Sequence, residues 1–165
     1  MYDFKPDPDL GTAERYRQLV SAADALTSGE DDAVANMANV AALLWEFVPN
    51  LNWAGFYRMG PAKDGSDELV LGPFVGRPAC IRIPIGQGVC GAAAASGETQ
   101  LVGDVHAFPG HIACDALSRS EVVIPIVRGG RVVAVIDLDS PDPDRFSQED
   151  ATGLEDLARL LSDRI

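Results

Sequence analysis

Two apolar segments joined by Gly129-Gly130 constrain the fold of this 165-residue chain more than any other feature. Residues 122–127 and 131–138 are rich in β-branched side chains, and a Gly-Gly pair between such segments predicts an antiparallel hairpin with a two-residue turn. Glycine suits this turn because its central residues need positive φ. The chain therefore contains a sheet whose best-defined strands lie in its last third.

Helical patterns flank the strands. The first covers residues 13–26 and ends at Gly29, and the second begins near Asp31, whose side chain can cap it, and ends before Pro49. Ser147 is expected to cap a closing helix. The apolar faces of the second and closing helices are predicted to be Val34, Met37, Val40, Ala41, Leu44, Phe47 and Val48, and Leu154, Leu157, Ala158 and Leu161, respectively.

The central part of the chain has shorter patterns. They predict strands at 52–59, 68–71, 80–85 and 99–102, a small-residue helix at 87–95, and a loop without periodicity at 103–118. This order predicts one α+β domain over residues 1–165, with an extended lead-in at 1–11. Its central sheet is mostly antiparallel, with helices packed on its faces.

The composition excludes several classes of protein. With 47% apolar and 23% charged residues, the chain is typical of a soluble globular protein. A net charge of −12 argues against nucleic acid and anionic membranes as partners. Because the first eight residues lack the basic and apolar regions of a secretory signal, we expect a cytoplasmic location.

The chain has three cysteines, Cys80, Cys90 and Cys114, whose spacing fits no zinc motif. We expect no bound metal, although a composite site with His106 and His111 is an alternative. An odd number of cysteines in a cytoplasmic chain also argues against a disulfide framework.

The surroundings of the cysteines differ. Cys114 lies in the long loop near His111, where a reactive thiolate is more expected than a packed apolar side chain. Cys90 lies in the Ala-rich helix, where core packing and a redox role are equally consistent with the pattern. Cys80 lies at a loop–strand junction, and cysteines at flexible edges can meet when one is oxidised.

Acidic residues form a second group of candidates. Asp137 and Asp139 project from the same face of the last strand, together with Val133 and Val135. A desolvated carboxyl beside a like charge has a raised pKa and can hold a proton or bind an ammonium group. For Asp139 a solvated strand exit is an equal alternative.

Glu121 precedes the apolar segment of the partner strand. A two-residue turn at Gly129-Gly130 pairs Val122 with Asp137, which places Glu121 on the opposite face. Only a bulge, for example at Pro125, would bring Glu121 to the side of Asp137.

Two aromatic residues, Trp53 and Tyr57, lie four apart on the first predicted strand and share a face. This pattern is more typical of core packing than of a ligand-binding wall.

Several segments resemble the free methionine-(R)-sulfoxide reductases, single GAF domains that reduce the free amino acid. The resemblance runs from about Tyr16 to the end of the chain and includes all three cysteines in order. The segments are Leu71-Gly72-Pro73-Phe74, Pro78-Ala79-Cys80, Gly86-Gln87-Gly88-Val89-Cys90-Gly91, residues 104–115 and Ser120-Glu121.

The resemblance implies a role for each candidate. Cys114 attacks the sulfoxide sulfur and becomes a sulfenic acid, Cys80 is the usual resolving cysteine, and Cys90 can also pair with Cys114. The remaining candidates line the substrate pocket, with Trp53 against the substrate methyl group: Trp53, Tyr57, Glu121, Asp137 and Asp139.

The resemblance also implies partners. Thioredoxin is the expected reductant, the protein is expected to be a homodimer, and no cofactor is needed. Two alternatives remain, a non-catalytic GAF sensor of a small molecule and a module whose cysteines oxidise without turnover.

Overall fold

The computed structural model describes residues 5–7, 9–110, 112 and 115–165. Cys114 and His111 lie outside these residues. The elements in chain order are α1 (Thr12–Thr27), α2 (Ala33–Phe47), β1 (Trp53–Pro61), β2 (Asp67–Gly76), β3 (Arg82–Pro84), α3 (Gly88–Ser96), β4 (Gln100–Val102), a 3₁₀ turn (Val105–Ala107), β5 (Ser120–Arg128), β6 (Arg131–Ser140) and α4 (Gln148–Leu161).

The strands form one six-stranded sheet in the order β3-β2-β1-β6-β5-β4. Every neighbouring pair is antiparallel, which confirms the predicted α+β class. The hairpin of β5 and β6 turns at Gly129 and Gly130, whose φ values are 59° and 78°. β1 and β6 lie at the centre of the sheet, so side chains on these two strands have the most rigid support.

The two faces of the sheet carry separate apolar cores. Helices α1, α2 and α4 cover one face, where they pack with alternate residues of the central strands such as Phe56, Ile124 and Ile136. Helix α3 covers the other face and packs with Val123 and Val135. The second core is smaller and contains the polar groups described below.

Within the described part of the chain, none of the helices combines the length and apolar character needed to cross a bilayer.

A bulge in the β5–β6 hairpin changes the register predicted from the turn alone. Arg128 pairs with Arg131 as expected, but the register shifts by one residue between Ile126 and Val127, which leaves Val133 as the extra residue of β6. The predicted bulge position at Pro125 is therefore wrong. So is the prediction that Val133 shares a face with Val135, because Val133 packs against the helical core on the opposite face.

Other differences from the sequence predictions are local. Helix α2 is capped by Asp32, whose side chain accepts from the Ala35 N–H, and not by Asp31. Val34 is 52% exposed and does not belong to the apolar face.

Strand β2 continues to Gly76, beyond its predicted end. The predicted strand at 80–85 shortens to β3, so Cys80 lies in the irregular segment before β3. Ser147 caps α4 as predicted.

Candidate active site

Strands β1 and β6 place the aromatic and acidic candidates on one face. Trp53 pairs with Asp139, Gly55 with Asp137, and Tyr57 with Val135. Side chains directly opposite each other on an antiparallel pair lie close together on the same face. These residues therefore surround one cavity beneath α3, which Trp53, Tyr57, Asp137 and Asp139 all line.

The hairpin bulge brings Glu121 to the same cavity. Beyond the bulge Glu121 pairs with Asp139, and Val123 pairs with Asp137. Without the extra residue in β6, Glu121 would face the helical core on the other side of the sheet. The irregularity thus creates a group of three carboxylates that the hairpin turn alone does not predict.

Helix α3 covers the carboxylates with Cys90, which lies in its first turn. The Cys90 thiol donates to Glu121 Oε1 across 3.9 Å and also bonds with Asp137. The Cys90 sulfur, one carboxylate oxygen of Glu121 and one of Asp137 all lie within 4.8 Å of one another. The free thiol of Cys90 therefore belongs to the polar cluster and not only to the apolar core.

Burial dominates the electrostatics of the cluster. Glu121 and Asp137 are each only 6% exposed, and desolvation raises the pKa of both carboxyls, that of Asp137 to about 7. Burial likewise raises the pKa of Asp139, with a further contribution from the charge of Asp137. The pKa of the Cys90 thiol is raised by burial first and then by the charges of Asp137 and Glu121. At neutral pH the cluster therefore retains protons, and Cys90 remains a thiol.

The cavity has an excess of acidic side chains. Four of its lining residues are acidic, with Asp115 added to the three on the sheet, and no lysine, arginine or histidine is among the lining residues that the structure describes. Carboxylates buried without a cation are costly unless they are protonated or bind a positive group. The lining is suited to a ligand that carries a cation.

Three buried polar atoms have no hydrogen-bond partner among the described residues: Asn52 Oδ1, Trp53 Nε1 and Asp137 Oδ1. An unsatisfied buried polar atom costs about 1–3 kcal/mol. Trp53 and Asp137 line the cavity, so a ligand bound there is the natural partner for two of these atoms.

The aromatic residue Trp53 is supported by a residue that sequence reasoning missed. The Trp53 ring stacks on Phe74 at 5.2 Å and on Tyr57 at 5.9 Å, measured between ring centroids. Phe74 lies opposite Gly55, where an added Cβ would come within 2.4 Å of the Phe74 Cβ. Glycine at position 55 therefore permits this approach, a requirement that only the neighbouring strand reveals.

Sequence reasoning also missed a hydrogen-bonded corner at the end of the long loop. Asn52 Nδ2 donates to Ser118 Oγ at 3.0 Å and to Asp115 Oδ2 at 3.3 Å, and the Ser118 side chain bonds with the Asp139 carboxylate. These bonds hold residues 115–118 against β1 and β6. The absence of periodicity in this loop gave no signal for the contacts, because they join residues more than 60 positions apart.

Helix α3 directs its amino-terminal end at the cavity, which Gln87, Gly88 and Val89 line. Its N-cap residue, Gln87, provides no side-chain cap, and the first intrahelical bond runs from the Gly91 N–H to the Gln87 carbonyl. The preceding N–H groups have no intrahelical partner. A helix end of this kind favours a carboxylate or another anion.

Cys80 lies beside the cavity, where Pro78 and Ala79 form part of the wall. Its carbonyl oxygen accepts a hydrogen bond from the Tyr57 hydroxyl at 3.0 Å, and its sulfur is in a disulfide. The structure therefore brings seven of the eight candidates to one region; the eighth, Cys114, lies outside the described residues.

The raised pKa of Asp137 predicts how stability depends on pH. Its carboxyl keeps a proton in the folded state up to about pH 7, whereas the unfolded chain releases it near pH 4. The stability that this proton confers is complete below the unfolded value and is lost as pH rises through 7. Between these values we expect the free energy of unfolding to fall by about 1 kcal/mol per pH unit.

Urea unfolding of the wild type and of Asp137→Asn at several pH values measures this slope. As pH rises, the free energy of unfolding of the wild type should fall relative to that of Asp137→Asn. The profile of the exposed control, Asp142→Asn, should run parallel to that of the wild type. Parallel profiles for all three proteins would show that Asp137 ionises normally in the folded state.

Comparisons with known proteins show the family of this chain. A family described as "GAF domain" matches residues 35–165. Free methionine-R-sulfoxide reductase of Escherichia coli is 46% identical over 152 residues, covering 92% of this chain and 89% of that protein. Protein YtsP of Bacillus subtilis is 48% identical and covers 96% of both chains.

A solved structure extends the comparison to three dimensions. The structure of free methionine-R-sulfoxide reductase from Neisseria meningitidis in complex with its substrate has a TM-score of 0.91 and 44% identity, and it covers 99% of this chain and 95% of that one. Both the sequence and the fold thus match the same group of proteins. This chain belongs to the GAF-domain family of free methionine-(R)-sulfoxide reductases.

Proposed function

We propose that this protein reduces free methionine-(R)-sulfoxide to methionine by thiol chemistry at the cavity under α3. The observation that carries this proposal is the pair of buried, proton-retaining carboxyls, Glu121 and Asp137, in a cavity bordered by cysteines. The relatives named free methionine-R-sulfoxide reductase support the same reaction.

The first step is attack by Cys114. A sulfoxide sulfur becomes a good electrophile when its oxygen is protonated or strongly hydrogen-bonded, so a thiolate and a carboxylic acid act together. The Cys114 thiolate bonds to the substrate sulfur, and the Glu121–Asp137 pair supplies one proton to the sulfoxide oxygen. The new S–S bond and the S–O bond of the substrate then break as the OH group passes to the Cys114 sulfur. The products are methionine and a sulfenic acid. Cys90 is unsuited to this attack because burial and neighbouring carboxylates keep it a neutral thiol.

The second step regenerates the enzyme. A sulfenic acid condenses with a nearby thiol, forming a disulfide and releasing one water molecule. We assign this role to Cys80, with Cys90 as the second candidate. Thioredoxin then reduces the disulfide by dithiol exchange, and no bound cofactor takes part.

Recognition of a free amino acid follows from the charges of the cavity. The acidic lining, including Asp139, binds the substrate ammonium, and the unpaired N–H groups at the start of α3 bind its carboxylate. The face of Trp53 packs against the methyl group on sulfur. A residue within a peptide lacks both charges, so the cavity favours the free amino acid.

The proposal further includes a homodimer and a cytoplasmic location.

A count of free thiols tests the proposal against a non-catalytic sensor. The fully reduced protein is mixed with one equivalent of methionine-(R)-sulfoxide, and thiols are titrated before and after. We expect two thiols to be lost for each methionine formed, whereas a sensor would lose none. Continued NADPH consumption through thioredoxin reductase and thioredoxin distinguishes turnover from a module that oxidises only once.

Replacing Cys80 by serine should separate the two steps. We expect Cys80→Ser to form about one methionine per enzyme and then to recycle at least tenfold more slowly with thioredoxin, because the sulfenic acid has lost its first partner. A rapid-quench assay for methionine measures both phases. Steady-state turnover equal to the wild type would transfer the resolving role to Cys90.

A further inference from the structure

The Tyr57 hydroxyl connects the rigid centre of the sheet to the backbone of Cys80. It donates to the Cys80 carbonyl oxygen at 3.0 Å, across 23 positions of sequence. Tyr57 is 1% exposed, lies on central strand β1, and stacks against Trp53. The donor therefore has a fixed position, and the acceptor lies in a segment that lacks regular structure.

The segment that carries Cys80 lies between two strands of the sheet. Residues 77–81 join β2 to β3 and include no helix or strand. The Ile81 carbonyl accepts from the Leu71 N–H at 2.9 Å, where β3 begins. The Cys80 sulfur is in a disulfide, and the bond from Tyr57 holds the Cys80 carbonyl oxygen separately from that disulfide. Reduction of the disulfide leaves this backbone contact in place, because the contact does not involve the sulfur.

The hydroxyl can act as a donor throughout the working range of pH. Burial raises the pKa of Tyr57 first, and the nearby charge of Asp137 raises it further. The phenol therefore remains protonated, and its hydrogen is directed to a carbonyl that cannot ionise. The contact is independent of the protonation state of the carboxylates, which changes during the proposed reaction.

We propose that Tyr57 is a positioning residue for the second half of the reaction, in which its hydroxyl holds Cys80 where it condenses with the sulfenic acid of Cys114. This inference rests on the proposed function. The Cys80 thiol attacks the Cys114 sulfur, the S–S bond forms, the S–OH bond breaks, and water leaves. Tyr57 acts through Cys80 and takes no part in the exchange of electrons.

The geometry of a disulfide gives this contact its importance. The two Cα atoms must approach to about 4.4–6.8 Å with a restricted dihedral angle, so Cys80 needs a defined backbone position. A displacement of about 1 Å can lower the rate of a positioned reaction about a hundredfold. Cys90 has independent support from α3, so loss of the Tyr57 bond should disfavour Cys80 relative to Cys90.

A trapping experiment with Tyr57→Phe tests the inference. The fully reduced protein, freed of reductant, is mixed with one equivalent of methionine-(R)-sulfoxide and quenched at intervals with a sulfenic-acid reagent. Mass spectrometry then follows methionine, sulfenic acid at Cys114, and each disulfide. Tyr16→Phe is the matched control, because it removes another buried hydroxyl, bonded to Asp150 at 3.0 Å on the opposite face of the sheet.

We expect the sulfenic acid to last at least tenfold longer in Tyr57→Phe than in the wild type or Tyr16→Phe, or the disulfide to move from Cys80 to Cys90. Either result supports the inference. Formation of the Cys80–Cys114 disulfide at the wild-type rate would overturn it. Absence of methionine in the wild-type reaction would instead contradict the proposed function.

Amide hydrogen exchange provides a second measurement that does not depend on turnover. Loss of the Tyr57 hydroxyl should accelerate exchange in residues 77–81, while exchange in the core of β1 and β6 shows that the variant is folded. Unchanged exchange in residues 77–81 would mean that other contacts hold Cys80, and the inference would fail.

Discussion

Cys114→Ser should form methionine at least about a thousandfold more slowly than the wild type, even in a single turnover. A serine hydroxyl ionises far above neutral pH and cannot form a sulfenic acid, so both the attack and the oxygen transfer are lost. The effect should therefore appear in the first turnover and not only in recycling. A rapid-quench assay of methionine release measures it.

The same substitution at the other cysteines supplies the controls. Cys80→Ser should retain the first turnover, and Cys90→Ser should retain more activity than Cys114→Ser because the Cys90 thiol is kept neutral. If Cys114→Ser kept full steady-state activity, the assignment of the nucleophile would be wrong. A loss of the first turnover in Cys90→Ser alone would make Cys90 the attacking group.

Asp137→Asn should lower kcat/KM by about a hundredfold or more. Asparagine has nearly the shape of aspartate but cannot transfer a proton, and loss of a positioned acid typically costs a factor of about 10² to 10⁴. Glu121→Gln should have a similar effect, since the two carboxyls are hydrogen-bonded to each other and burial raises the pKa of both. The double variant should lose less than the product of the single effects, because the two groups act as a unit.

Asp142→Asn is the matched control for charge. Asp142 is exposed near the end of the same hairpin, and its removal changes the net charge equally. Equal losses in Asp137→Asn and Asp142→Asn would indicate a general effect of surface charge and no specific acid. A loss of activity that is confined to Asp137→Asn would not result from unfolding. Removal of the buried charge should make this variant more stable than the wild type above pH 7.

The helices and the β5–β6 hairpin could be predicted from the sequence because their signals are local. Asp32 and Ser147 cap helices at positions close to those expected, and Gly129-Gly130 adopts the positive φ values that its turn requires. Asp137 was found for the same reason, since alternation along one strand determines which face a side chain occupies.

Residues that depend on contacts between distant segments could not be found this way. The bulge at Val133 reflects packing on both faces of the sheet at once, and without it Glu121 is assigned to the wrong side. Only the family resemblance placed Glu121 correctly. Phe74 contacts Trp53 from a neighbouring strand, and Asn52 contacts Ser118 of a distant loop; neither contact leaves a periodic signal in the sequence.

Product analysis with three substrates tests the central claim most directly. The protein, thioredoxin and thioredoxin reductase are incubated with free methionine-(R)-sulfoxide, free methionine-(S)-sulfoxide, and a peptide that contains methionine sulfoxide. We predict one methionine per NADPH from the free (R) isomer, and at least a hundredfold less reduction of the other two. Absence of methionine from the free (R) isomer, or equal reduction of the peptide, would contradict the account.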